Sequence, residues 1–374
     1  MKEIYRDTRL VIDLSILANN VKLIRDMVGD KVAIACVVKA NAYGHGAVEI
    51  AKTLMDAGAD MLTVATLSEG VDLRKEHPEY PILIMGHTPD QYLEYVVKYD
   101  LIPTIFTLEQ AELLNALAEK AGKPVKVHIK LDTGFHRLGF DARAMEETVG
   151  EIVKISKLSN LELEGMFTHL ALAGDEENQR QMDLLFEARD QLKAKGISFK
   201  YMHAADSIAT VDNPEYRLDM VRVGALVYGM RGFHKGFLPV EQALTFKTRI
   251  SQLHHLKAGE GLSYDYLWKA PKDSVIATLP FGYADGYPRD MRDKGYVSIK
   301  GVKCPLVGVL CMDQLMADVS QVEGVKAGDE AVIYGSGPNE MTIEEAAKLV
   351  GSNKNEIIAR LMERPARVYI NGEL

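Results

Sequence analysis

The chain has 374 residues, 44 basic and 53 acidic, for a formal net charge of −9. That length exceeds one ordinary core and predicts two domains. The negative balance argues against general nucleic-acid binding, though not against a local cationic pocket. A hydrophobic content of 47% with 26% charged residues is that of a soluble globular protein. Cys36, Cys304 and Cys311 lack paired metal-ligand spacing, which argues against a disulfide framework and fits a reducing compartment. The opening MKEIYRDTRL has no signal-peptide core, and no apolar run approaches the ~18 residues of a membrane span. A cytoplasmic protein is the expectation.

In chain order, RLVIDL at 9–14 reads as a strand that could belong to either domain, followed by an amphipathic helix carrying Leu17, Val21, Ile24 and Val28. From residue 31 to 230, short apolar runs alternate with helical patterns. The strands are expected at 32–38, 61–65, 81–85, 101–106, 125–131, 163–169, 199–204 and 220–227. Thr66 with Glu69, Thr88 with Pro89 and Gln91, and Thr107 with Gln110 read as helix starts of the capping-box type. A helix over 144–157 places Met145, Val149, Ile152 and Val153 on one face. Eight βα alternations with nearly all-apolar strands favour a (β/α)8 TIM-type barrel over a doubly wound sheet. After about 235 short strands and turns predominate, with one helix, MTIEEAAKLVG, capped at Thr342 and Glu345. The expected division is a barrel at 1–238 and a mostly β domain at 239–374.

In such a barrel, chemistry belongs at the C-terminal strand ends. The first strand ends in Lys39, an odd companion for VAIACVV, because a buried ammonium needs a partner or gives up its charge. Lys130, Asp132 and Arg137 accompany the fifth strand, and Thr168 and His169 the sixth. His203, Asp206 and Ser207 accompany the seventh, and Arg222, Gly224 and Ala225 the eighth. Ser207, Gly224 and Ala225 suit an anionic phosphate held by a hydroxyl and main-chain N–H groups, although no Walker spacing is present. A phosphate site beside a desolvated lysine points to pyridoxal 5'-phosphate, whose aldehyde condenses with an amine.

The blocks VVKANAYGHG, KLDTGFHRLGF, THLA, HAADS, VRVGALVYG, LSYDYLW, GYADGY and VLCMDQLM, in this order, resemble those of the alanine racemase family of fold-type III pyridoxal-phosphate enzymes over nearly the full chain. The resemblance implies that Lys39 holds the cofactor covalently, and that Tyr43, Ser207, Gly224 and Ala225 hold its phosphate. Arg222 would face the pyridine nitrogen, Arg137 the phenolic oxygen and the substrate carboxylate. Lys130 matches a lysine that is often carbamylated; its alternative is an unmodified lysine paired with Asp132. Tyr264 matches the second catalytic residue. A free tyrosine titrates at ~10, so it needs nearby positive charge or hydrogen-bond donors, for which His169 and Arg222, lying at the cofactor, are the candidates; the alternative for His169 is a satisfied barrel histidine. Tyr283 and Met312 match residues at the substrate carboxylate or entrance. Family members are homodimers with shared active sites, so these second-domain residues would come from a partner. A planar carbanion presents two faces, and Lys39 and Tyr264 would serve one each.

The chain departs from the commonest family pattern at Phe135, His136, Asp206 and Glu363. These leave serine, or a basic amino acid such as lysine or ornithine, as alternative substrates to alanine. A non-catalytic pyridoxal-phosphate carrier is the rival of another class, and the domain after residue 240 argues against it. A fold-type III decarboxylase would carry a cysteine–aspartate block that is not evident.

Overall fold

The alternation of apolar strand and amphipathic helix closes on itself. In the computed structural model, which describes residues 5–361 and 363–372, the barrel strands are Ala33–Val37, Met61–Val64, Ile82–Ile84, Ile102–Ile105, Val125–Asp132, Leu161–Phe167, Tyr201–His203 and Met220–Val223. Each pairs in parallel with the next through the seventh, and the eighth returns to pair with the first. The remaining seam is stitched by Asp219 N–H to Met202 O at 3.0 Å and Arg222 N–H to Ala205 O at 3.0 Å. Ile34, Leu62, Ile82, Ile105, Val127 and Ile129 are fully buried, as expected of strands covered on the outside by helices. All eight expected strands are present, most of them shorter than the apolar runs that announced them.

Local signals decide the helix starts. Thr66 and Glu69 form a reciprocal capping box. Thr107 and Thr342 cap their helices through the main chain of Gln110 and Glu345. The side chains of those two residues go elsewhere, Gln110 Nε2 to Thr88 O at 3.0 Å and Glu345 Oε2 to Tyr296 Oη at 2.8 Å. The cap expected at Thr88 is not formed. Pro89 occupies the cap position of a short 3-10 turn, and Thr88 Oγ1 is buried with no hydrogen-bond partner among the described residues.

The second domain is a nine-stranded sheet that includes Leu244–Arg249 and Ala366–Ile370. Its aromatic core stacks Tyr287 on Tyr334, ring centroids 5.7 Å apart, beside Phe246 and Phe281. Between Leu244–Arg249 and Ala366–Ile370 lies Arg9–Asp13, antiparallel to the first and parallel to the second. This corrects the division at 1–238, because residues 9–13 belong to the second sheet. The reason is legible afterwards. Alternation buries Leu10 and Ile12 and leaves the odd positions half-exposed, the pattern of a mixed sheet with one covered face. The helix Leu14–Val28 then carries the chain back to the barrel, capped by Asp13. No helix among the described residues is long and apolar enough to cross a membrane.

Candidate active site

Lys39 follows the strand Ala33–Val37 and begins an unusual turn. Ala40, Asn41, Ala42 and Tyr43 all have φ near +52°, one turn of left-handed helix built without glycine. That conformation costs roughly 1–2 kcal/mol per residue, so the surroundings must hold it. Ala40 N–H donates to Glu69 Oε1 at 2.6 Å, and Asn41 Oδ1 accepts from Ala47 N–H at 2.8 Å. Gly44 N–H and Gly46 N–H return to Ala40 O and Asn41 O at 3.1 and 3.0 Å. The turn lets both Lys39 and Tyr43 line one cavity of 420 Å³ at the C-terminal end of the barrel. Burial, reinforced by Arg137, lowers the Lys39 pKa, which favours the neutral amine.

One end of the cavity is built for an anion. Ser207 Oγ accepts from Gly224 N–H at 2.9 Å and Leu226 N–H at 3.4 Å, leaving its own hydroxyl proton to donate. Ala225 lines the cavity, and its main-chain N–H has no acceptor among the described residues. Burial pushes Tyr43 up to about 12, so it too remains a donor. A Cβ on Gly224 would lie 2.7 Å from Tyr43 Oη, which explains glycine there. Asp206 Oδ1 caps the following short helix through Ile208 N–H and Ala209 N–H at 2.9 and 3.0 Å, and this residue also lines the cavity.

Arg222 crosses the floor of the site. It donates to Thr168 O and Ala204 O, both at 2.9 Å, and to His203 Nδ1 at 2.8 Å. Burial lowers its pKa to about 10, so it remains a cation, and no carboxylate lies within ion-pair distance among the described residues. A structural ion pair is therefore not its role. Its bond to His203 fixes a chain of tautomers. His203 Nδ1 must accept, so Nε2–H donates to His128 Nδ1 at 2.9 Å; His128 Nε2–H then donates to Glu164 Oε2 at 3.4 Å. Burial lowers the pKa of both histidines and keeps them neutral. Glu164 also pairs with Lys126 at 2.8 Å. The relay was not anticipated from sequence, though the signal existed: His128 and Glu164 interrupt the apolar runs of adjacent barrel strands.

Glu164 links this relay to stability. Burial alone would raise its pKa, but hydrogen bonds from His128 and Lys126 outweigh that and hold it at about 2. The folded pKa lies below the unfolded value of ~4.3, so the stabilisation is present above that value and lost as pH falls toward 2. Melting temperature should therefore decline between about pH 4.5 and 2, and Glu164→Gln should flatten that limb in scanning calorimetry. An unchanged acid limb would remove Glu164 from the account.

Lys130 is buried inside the fifth strand and donates to Leu131 O at 2.7 Å. Burial, with Arg222 and Arg137 adding to it, brings its pKa to about 7. The pair considered with Asp132 does not form. That carboxylate accepts from Gly134 N–H and His136 N–H, each at 3.0 Å, because the DTG turn claims it. Arg137 lines the cavity with its guanidinium carbon 4.4 Å from the Phe135 ring centroid, and Phe135 packs on His169 at 4.9 Å. Burial and the surrounding cations drive His169 to about 3. As a neutral imidazole His169 adds no positive charge; with Nδ1 accepting from Arg222 Nη2 at 3.4 Å, its Nε2–H is the hydrogen-bond donor it offers.

His136 and Glu363 are exposed and absent from the cavity lining. So are Tyr264, Tyr283 and Met312, which sit on the second domain with exposures of 66%, 37% and 52%. They form their own neighbourhood. Ala284 N–H reaches Met312 O at 3.0 Å, and Tyr264 shares a depression with Met312 and Cys311. Tyr264 follows Ser263, at φ +65°, and precedes Asp265, at +57°, a strained turn of the kind kept where a side chain must be aimed.

Pyridoxal phosphate fits the residues present. A lysine whose pKa burial lowers, an anion cradle with donors on Ser207, Tyr43 and Ala225, and a buried guanidinium without an ion pair among the described residues all line one cavity. The sequence comparisons agree with this chemistry. A profile of the alanine racemase N-terminal domain matches residues 12–232, and one of its C-terminal domain matches 243–369. Alanine racemases from Clostridium tetani and Halothermothrix orenii are each 40% identical, over 96% and 99% of this chain and 94% and 98% of theirs. The solved alanine racemase of Clostridium difficile superposes with a TM-score of 0.94 at 36% identity, covering 98% of this chain and 97% of that one. That of Bacillus anthracis with bound L-Ala-P gives 0.91 at 30%, covering 99% and 96%. Fold, site chemistry and full-length similarity converge, and the chain belongs to the alanine racemase family.

Proposed function

We propose that this protein interconverts L-alanine and D-alanine with pyridoxal 5'-phosphate as cofactor. The observation that carries the reading is the single cavity holding a desolvated Lys39 at the strand end and the Ser207–Gly224 anion cradle beside it. Lys39, Tyr43, Ser207, Gly224 and Ala225 would hold the cofactor, with Arg222 at its ring nitrogen and Arg137 and His169 against its remaining edge. When bound, it would supply an aldehyde for the substrate amine and an electron sink for the α-carbon. Arg222, a guanidinium that stays cationic with a pKa of about 10, would donate a hydrogen bond to a ring nitrogen without surrendering its proton. Charge then stays near the α-carbon, where reprotonation completes racemisation.

Lys39 serves one face of the substrate as proton carrier. The opposite face requires a second group, and the cavity of one chain offers no tyrosine but Tyr43, which is committed to the anion end. Tyr264 of a second copy supplies it, with Tyr283 and Met312 beside the substrate carboxylate and Arg137. The exposure of this trio supports a homodimer whose active sites are shared. Free cysteines at Cys36, Cys304 and Cys311 support a reducing cytoplasm.

Incubating the cofactor-loaded protein with L-alanine and resolving products on a chiral column should show D-alanine accumulating to equality. Cofactor-bound protein that yields none would overturn the reading. In an amino acid panel alanine should exceed serine, lysine and ornithine. Of the three polar departures only Asp206 lines the cavity, and its carboxylate is engaged as a helix cap. Carbon dioxide release would instead identify a decarboxylase.

Lys130 would carry a carbamate. A pKa near 7 leaves much of the amine neutral above that pH, the form that adds to carbon dioxide. The added anion would face Arg137 and Arg222. In ¹³C-bicarbonate at pH ~8, a protein-bound carbamate resonance should appear and be absent from Lys130→Met.

A further inference from the structure

The cavity has one lining cation that none of the roles above uses. Lys354 belongs to the second domain, in the first turn of the short helix Lys354–Ala359. It lines the cavity together with Ser207, Asp206, Gly224 and Gly232. Its Nζ donates to the Arg231 carbonyl, which uses one of three N–H bonds. No carboxylate among the described residues lies within ion-pair distance of it. Glu344 is occupied by Arg231 N–H at 3.0 Å, and Asp206 by its helix cap. A Cβ on Gly232 would collide with the ammonium, so the absence of a side chain there makes room for it.

The cradle formed by Tyr43, Ser207, Gly224 and Ala225 is neutral, and Asp206 next to it is an anion. A phosphate placed there meets three neutral donors, on Tyr43, Ser207 and Ala225, with Gly224 N–H engaged by Ser207 Oγ, and one repelling charge. We propose that Lys354 is a phosphate-binding residue of the cofactor site, reaching across from the second domain to charge the cradle and offset Asp206. Burial lowers its pKa while Glu344 and Asp206 oppose that, and an ammonium there has two N–H groups left for charge-assisted hydrogen bonds to an anion. The second domain then helps to close the cofactor site within its own chain, besides presenting Tyr264 outward.

The inference rests on the pyridoxal-phosphate reading, and the test separates the two. Retention of pyridoxal phosphate and of pyridoxal, which lacks the phosphate, is measured for unmodified, Lys354→Met and Lys354→Arg proteins by ultrafiltration and fluorescence titration. Lys354→Met should weaken pyridoxal phosphate about ten- to hundredfold, the worth of a charged hydrogen bond. Pyridoxal binding should change by less than about twofold, since it has no phosphate for the charge to meet. Lys354→Arg should retain most of the affinity, and the ³¹P resonance of the bound cofactor should move in Lys354→Met. Adding Asp206→Asn to Lys354→Met should recover part of the loss, because asparagine still caps the helix without the charge. Equal affinity in Lys354→Met and unmodified protein overturns the proposal, as does a parallel loss of pyridoxal, which would mean a structural role. Failure of the unmodified protein to bind pyridoxal phosphate would overturn the cofactor reading itself, and this proposal with it.

Discussion

Mixing Lys39→Ala protein with Tyr264→Ala protein should restore racemase activity that neither possesses alone. Each variant disables a different half of the proposed shared site. In a mixed dimer one site receives both alanines, and the other receives an intact Lys39 from one chain and an intact Tyr264 from the other. Random re-association of equal amounts makes about half the dimers mixed, each with one working site of two, so recovery should approach about one quarter of unmodified activity. The geometry motivates the experiment. Lys39 lines the barrel cavity, Tyr264 is two-thirds exposed on the second domain, and one chain does not bring them together. No recovery after subunit exchange, with mixed dimers demonstrated by mass spectrometry, would mean that both groups act within one chain or that Tyr264 is not the second base.

Lys39→Ala alone should lower kcat/KM by about 10³ or more, because it removes both the covalent anchor and a proton carrier. The measurement is D-alanine formation coupled to an oxidase. A second readout separates anchoring from misfolding. Borohydride treatment of the unmodified protein should leave cofactor fluorescence permanently on the chain, on the peptide containing Lys39, and none in the variant. Melting temperature should hardly change, since the Lys39 ammonium has no side-chain hydrogen bond among the described residues. Retained activity in Lys39→Ala would defeat the assignment outright.

Much of this was legible before any coordinates. Short aliphatic runs spaced by amphipathic helices specify parallel strands covered on the outside, and they did so here eight times. Charged residues at the ends of such runs, Lys39, Lys130 and Arg222 among them, stand out because burial makes them costly. Other features had no local signature. Four consecutive left-handed residues after Lys39 are two alanines, an asparagine and a tyrosine, none of them compelled toward positive φ, and the conformation is imposed by Glu69 and Ala47 from other segments. Thr88 looked like a cap, but Pro89 and Gln110 divide its role. His169 is neutral because of cations that only the folded chain assembles. Lys354 sits in a polar stretch, SNKNE, that reads as ordinary surface until the second domain is laid against the barrel mouth.

The strand Arg9–Asp13 pairs with Ala366–Ile370 across almost the whole sequence. During synthesis it emerges before every barrel strand and finds Ala366–Ile370 only after the last of them has been made. Meanwhile the entire barrel can form between them, since none of its strands needs either terminus. The barrel is thus a long insertion within a sheet whose closure has a very large sequence separation, a slow step by the logic of contact order. Until then, Leu10 and Ile12 are an apolar ribbon without a sheet, open to pairing with another nascent chain. A fragment starting at residue 239 inherits the mirror-image defect, a sheet with a gap between two of its strands. Adding a peptide spanning residues 5–14 to that fragment should promote its folding, because the missing strand of the second domain is encoded on the far side of the barrel.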